Sequence, residues 1–177
     1  MNLKIFIVCS DRITGLNIAK RIIMKDDNYS IAPTFTTNKE YDNEINEEYI
    51  TYMDVNTVNL SYKNNSLLYI KTNNYISSGI TIDDFYNNDI CIMNIYEYNL
   101  IPEVIFSKYD ILTIWIDSKN HGNLSESDLI EINYFNKFLE KITYLYFLNN
   151  ELNIDDTILK YLNGTDEEKN EIFLNNS

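Results

Sequence analysis

Four short apolar runs divide the chain: 4–9 (KIFIVC), 90–95 (ICIMNI), 111–116 (ILTIWI) and 142–148 (ITYLYFL). They are rich in β-branched and aromatic side chains and scarcely alternate with polar ones, as strands buried on both faces require. Helical spacing fills the intervals. Leu16, Ala19, Ile22 and Ile23 share one face, so a helix opens near Thr14 or Gly15. Leu129, Ile132, Phe135 and Leu139 mark another, capped by Ser125 or Ser127 and running through Lys141. Pro102 suits the first turn of a helix reaching Ser107, and Ile154 to Leu162 is a final helix stopped by Gly164. Apolar strands alternating with helices predict an α/β fold: a parallel sheet flanked by helices.

The stretch 31–78 breaks this alternation. Pro33 keeps Ile31 to Thr37 extended, and 38–48 is acidic, aperiodic and read as a mobile loop. Tyr49 to Met53 is a strand, and Asp54 caps a short helix through Leu60. Ser66 to Thr72 and Tyr75 to Ser78 form a hairpin around Asn73-Asn74. Thr81 then caps a helix through Tyr86, with Asp83 and Asp84 in its first turn. This pattern predicts a small β-rich insertion in one α/β domain spanning 1–164. Residues 165–177 are polar apart from Ile172-Phe173-Leu174 and read as a flexible tail.

Composition narrows the function. The 177 residues carry a net charge of −13, with a pI near 4.4, which repels nucleic acid and anionic membranes. Only two arginines occur, Arg12 and Arg21, whereas enzymes that move phosphoryl groups lean on arginine clamps. Cys9 and Cys91 sit in apolar runs without CxxC spacing, as buried core thiols in a reducing compartment do. A zinc site has no ligand set, because the one histidine, His121, stands in a polar stretch without a spaced partner. Asp54, Asp83, Asp84, Asp117 and the Glu47-Glu48 pair fall largely at turn and cap positions, with no spacing that demands a metal. No run suits a signal peptide or a membrane span, which predicts a cytoplasmic protein, in the host cytoplasm if the source is viral. Fifteen tyrosines against four glycines, with abundant Asn, Ile and Lys, point to an AT-rich source such as a phage, a large DNA virus or a low-GC bacterium.

The first strand and helix enclose Ser10, Asp11, Arg12, Ile13, Thr14, Gly15, Leu16 and Asn17, the place of a phosphate-binding P-loop. The G-x-x-x-x-G-K-[ST] pattern keeps one glycine here. Its lysine position is Leu16, and its magnesium-binding hydroxyl position is Asn17. The same frame also suits an ordinary first βα unit.

Further segments line up. Residues 34–39 (TFTTNK) stand where an S-x-T-T-R segment would, 48–53 (EYITYM) where D-Y-x-F-V would, and 75–78 (YISS) where Y-Y-G-T/S-S would. Residues 90–95 are similar to V-L-L-D-I-D, and 147–156 to I-V-N-D-D-L-D-x-A. In this order the chain resembles the guanylate kinase family over most of residues 3–162. The resemblance implies a P-loop-kinase-like sheet and a nucleoside-monophosphate-binding insertion at 31–78. It also implies a lid near 117–125. Thr36, Thr37, Lys39, Tyr49, Tyr52, Ser77 and Asn94 fall at the monophosphate-binding positions; strand packing and solvation are the plainer account of them, since tyrosine and threonine are ordinary strand formers. The departures fall on the working positions. Leu16 replaces the lysine, Asn38 the arginine and Asn94 the strand aspartate, the guanine-reading glutamate falls near Tyr69, and the lid has no arginine. Arg12, at the helix N-terminus, is the best remaining anion fork.

The resulting expectation is a catalytically degenerate member that binds a protein partner, with a nucleotide as the second candidate ligand. It assigns no catalytic residue, no metal and no cofactor. ATP, GMP and magnesium enter only under the alternative, an active nucleoside monophosphate kinase with a divergent P-loop. A structural virion or assembly component is the third reading.

Overall fold

The computed structural model describes residues 3–9, 11–41, 49–117, 143–148 and 153–176. Strands β1 (Leu3–Cys9), β6 (Ile90–Met93), β7 (Asp110–Asp117) and β8 (Thr143–Leu148) form a parallel sheet in the order β6-β1-β7-β8. These are the four apolar runs. Ile5, Ile7 and Cys9 project to one face of β1 and Phe6 and Val8 to the other, each into a separate core. That double burial is why the run is continuously apolar rather than alternating.

On the first face lie α1 (Arg12–Lys25), α6 (Ile154–Asn163) and α7 (Asp166–Asn176), contributing Ile18, Ala19, Ile22, Ile154, Ile158 and Ile172. On the other lie α3 (Ile82–Asn87), α4 (Ile95–Tyr98) and α5 (Glu103–Lys108), with Phe85, Tyr98 and Ile105 in the core. Lys4 is the exception in β1. It is 1% exposed, yet its ammonium donates to the Tyr86 and Asn88 carbonyls at 3.1 and 2.6 Å and lies 5.1 Å from the Phe85 ring centroid. A cation there satisfies the carbonyls that end α3. On the opposite face, Asp155 accepts from Lys25 at 2.6 Å and faces Arg21 at 3.3 Å, tying α6 to α1.

The β-rich insertion is a second, mixed sheet in the order β3-β2-β5-β4. It comprises β2 (Thr34–Thr36), β3 (Ile50–Tyr52), β4 (Leu67–Asn73) and β5 (Ile76–Thr81), with α2 (Val55–Lys63) between β3 and β4. Asp54 caps α2 and Thr81 caps α3, as the sequence predicts.

Several elements differ from the sequence reading. The β4–β5 turn is Asn74-Tyr75, one residue later than expected, with φ of 47° and 68°. A two-residue hairpin turn of this hand needs two left-handed residues, and Asn74 adopts that conformation readily. The run 90–95 stops at Met93, because Asn94 starts α4 through a capping box with Glu97. Residues 165–177, read as a flexible tail, contain α7. Thr165 and Glu168 cap it reciprocally at 2.9 and 3.3 Å, and Ile172 is buried in the first core. Gly164 does end α6, but at φ −77°. A Cβ there would lie 2.5 Å from the Lys160 carbonyl, so close backbone approach is what calls for glycine. The expected helix 125–141, the lid and His121 lie outside the described residues, as do Glu47, Glu48 and most of the acidic loop. Among the described residues, no helix is long and apolar enough to cross a membrane.

Candidate functional site

Parallel sheets bind ligands beyond the carboxyl ends of strands, where the strand order reverses. Here that point is β1, which leads into α1 and has β6 on one side and β7 on the other. A cleft of about 200 Å³ opens there, between the parallel sheet and the insertion. Cys9, Met93 and Asn94 line it from the ends of β1 and β6; Thr34, Phe35, Thr36, Ile50 and Ser78 from the insertion; and Arg12 and Glu97 from the first turns of α1 and α4.

The expected phosphate loop folds differently. Helix α1 begins at Arg12, two to three residues before the predicted start, because Asp11 is a strong N-cap. Its carboxylate accepts from the Ile13 and Thr14 amides at 3.2 and 3.0 Å and from the Thr14 hydroxyl at 2.8 Å. The Thr14 hydroxyl bond, helped by the Thr14 and Ile13 amides, outweighs desolvation and holds this carboxyl below the usual aspartate range. The chain's own anion thus occupies two of the donors a phosphate would need.

Gly15 has a packing role. A Cβ there would meet Cys9 Sγ at 2.6 Å and Ile92 Cγ2 at 2.8 Å, so glycine lets α1 lie directly on β1 and β6. Leu16 packs against the first core, Ile13 is 68% exposed, Asn17 is exposed, and Ser10 lies outside the described residues. Of the eight residues of the motif, Arg12 alone among those described lines the cleft. Its Nη2 donates to the Tyr49 carbonyl at 3.2 Å.

The insertion's candidates divide between the cleft and hydrogen bonds within the sheet. Thr34 and Thr36 face the cleft. Thr37 faces away and accepts the Ser77 amide at 2.8 Å. Ser77 likewise pairs with Thr72 at 2.9 Å, and its neighbour Ser78 lines the cleft instead. Lys39 is exposed. Tyr49, in a left-handed conformation at φ 68°, packs its ring on the first core and offers its carbonyl to Arg12 and to the Thr34 amide. Tyr52 is half-buried and not among the lining residues. Asn94 lines the cleft, with its side chain accepting the Glu97 amide at 3.0 Å.

The sequence reading missed Cys9, Thr34, Phe35, Ile50, Ser78, Met93 and Glu97 as lining residues. Glu97 had a signal, since Asn94-x-x-Glu97 is a capping-box spacing. Its Oε2 accepts the Asn94 amide at 2.9 Å, and its Oε1 lies 3.9 Å from Lys71 Nζ. Behind it stands Tyr69, 4% exposed, whose buried hydroxyl has only a loose contact with the Glu97 carboxylate. Burial first, then the nearby Glu97 charge, pushes that phenol well above its ordinary value, so it stays a donor. Burial likewise pushes the Cys9 thiol up to about 11, which leaves it un-ionised at neutral pH. Among the described residues, no group of three His, Cys, Asp or Glu side chains is placed to hold a metal ion.

No protein-family model matches the sequence, and no curated protein does. Among solved structures, the guanylate kinase from Anaplasma phagocytophilum is similar over 91% of this chain and 84% of its own, with a TM-score of 0.56 and 12% identity. The chain therefore has a guanylate-kinase-like fold, an α/β parallel sheet with a separate mixed sheet.

Proposed function

We propose that the chain is a catalytically degenerate nucleoside-monophosphate-kinase-like domain that works as a binding module, with a protein as its partner. The observation that carries this reading is the Asp11 carboxylate on the Ile13 and Thr14 amides, where catalysis would require an open phosphate cradle. Supporting it, Leu16 packs in the core where the motif has its lysine, and Asn94 is committed to a capping box where the family has an aspartate. A net charge of −13 favours a basic partner and disfavours a multiply charged nucleotide. The composition fits an AT-rich source such as a phage, a large DNA virus or a low-GC bacterium, and a viral protein would act in the host cytoplasm.

The test is ADP release from ATP and magnesium with each nucleoside and deoxynucleoside monophosphate as acceptor. No turnover above background is expected. Turnover at ~1 s⁻¹ or more, the ordinary range for kinases, would establish the active-kinase alternative instead.

A further inference from the structure

The cleft holds more polar capacity than its own residues use. Among the described residues, Thr34 Oγ1 is buried without a hydrogen-bond partner, and the buried Tyr69 hydroxyl has only a loose contact, with the Glu97 carboxylate. Thr34 lines the cleft, and the Tyr69 phenol lies in the field of two lining residues, Glu97 and Arg12. A buried polar group left unpaired costs about 1–3 kcal/mol, so one unpaired and one poorly paired hydroxyl beside one cavity call for an explanation.

The lining charges suggest one. Among the described residues, Arg12 commits one nitrogen to the Tyr49 carbonyl, and its other guanidinium donors have no partner there. Glu97 has one oxygen on the Asn94 amide and the other only 3.9 Å from Lys71, a loose contact. Arg12 and Glu97 form no ion pair with each other among the described residues. A purely anionic ligand would face Glu97, and a purely cationic one Arg12. A molecule carrying both signs answers both.

Size and walls complete the description. About 200 Å³ is below the ~300 Å³ where drug-sized pockets begin. It leaves little room for a whole nucleotide. Phe35, Ile50 and Met93 supply apolar wall.

We propose that this cleft binds a free α-amino acid with an apolar side chain. Its carboxylate meets Arg12, its ammonium meets Glu97, and its side chain lies against Phe35, Ile50 and Met93. The Tyr69 and Thr34 hydroxyls are the remaining donor and acceptor for its charged groups. This goes beyond the loss of phosphoryl transfer but rests on the reading of the domain as a binding module.

Calorimetric titration of the full chain with L-leucine, L-methionine and L-phenylalanine tests it, beside N-acetyl-leucine (no ammonium) and leucinamide (no carboxylate). At least one free amino acid is expected to saturate with a Kd below ~1 mM, and each blocked form to bind at least ~10-fold more weakly. E97Q, which keeps an acceptor for the Asn94 amide, and R12Q should each weaken the amino acid by ~10-fold or more while the melting transition stays intact. The proposal is overturned if no free amino acid binds the folded chain, or if the blocked forms bind as tightly. ADP release reports on phosphoryl transfer separately, so either claim can fail while the other stands.

Discussion

Replacing Gly15 with alanine sets two opposed effects against each other inside α1. Helix propensity favours the change by about 1 kcal/mol, because alanine loses less backbone entropy than glycine. Packing opposes it. The added Cβ would sit 2.6 Å from Cys9 Sγ and 2.8 Å from Ile92 Cγ2, against a comfortable separation of about 3.5–4.0 Å. Cys9 and Ile92 are 5% and 1% exposed on a close-packed sheet, so relief means moving the helix or forcing a rotamer. Overpacking of this kind costs ~1–3 kcal/mol. The expected net is a loss of about 1 kcal/mol, a Tm lower by ~2–4 °C for a chain of this length. Thermal and urea unfolding of G15A measure it. C9A removes the nearer clash, so the G15A/C9A pair should be coupled by at least ~0.5 kcal/mol in the direction of rescue. A G15A chain as stable as the parent, or more stable, would refute the packing role and return Gly15 to a loop function.

Other perturbations probe the remaining contacts. D11A removes the α1 cap and should cost ~0.5–2 kcal/mol in urea unfolding, with D11S recovering most of it; an unchanged midpoint would deny the cap. D155A should cost ~1–3 kcal/mol, less than a fully buried pair would, because Lys25 and Arg21 are about half exposed. Burial acts to raise the Asp155 carboxyl, but Lys25 and Arg21 outweigh it and hold the carboxyl below the usual range. Its contribution is therefore present above the unfolded value near 3.8 and lost as pH falls through the folded one, a loss D155A should abolish. At the other end of the scale, burial pushes the Cys9 and Cys91 thiols up to about 11 and about 12 from an ordinary 9.0. Stability from each is full below pH 9 and falls as pH rises towards those values, by up to ~1.4 kcal/mol per pH unit per thiol. Urea midpoints from pH 7 to 10.5 should show this decline, and C91A should roughly halve it.

The framework was readable in the sequence because burial on both sheet faces writes uninterrupted apolar runs, as in β1, β6, β7 and β8. Caps such as Asp54 and Thr81 were readable too, since one side chain acts on amides two or three positions away. What the sequence hid was mostly competition between local signals. Asp11 could stand in a phosphate loop or cap a helix, and only its reach to the Ile13 and Thr14 amides decides. Asn94 continued an apolar run until Glu97 captured its amide. In the insertion Thr36 lines the cleft, whereas Thr37 and Ser77 turn to hydrogen bonds within the sheet and Thr34 and Ser78 line the cleft beside them, a division set by pairing partners distant in sequence. Segment 165–177 looked like a polar tail because only Ile172 and Phe173 bury against the core, too few to write a clear helical stripe.

The most direct test of the central claim is an amide-resolved NMR titration of the ¹⁵N-labelled chain with inorganic phosphate and with ATP plus magnesium, following Ile13 and Thr14. If the Asp11 carboxylate holds these two amides, their resonances stay in place at millimolar ligand and move instead in D11A. Saturable shifts of both amides in the unaltered chain would show an open phosphate cradle and contradict the account.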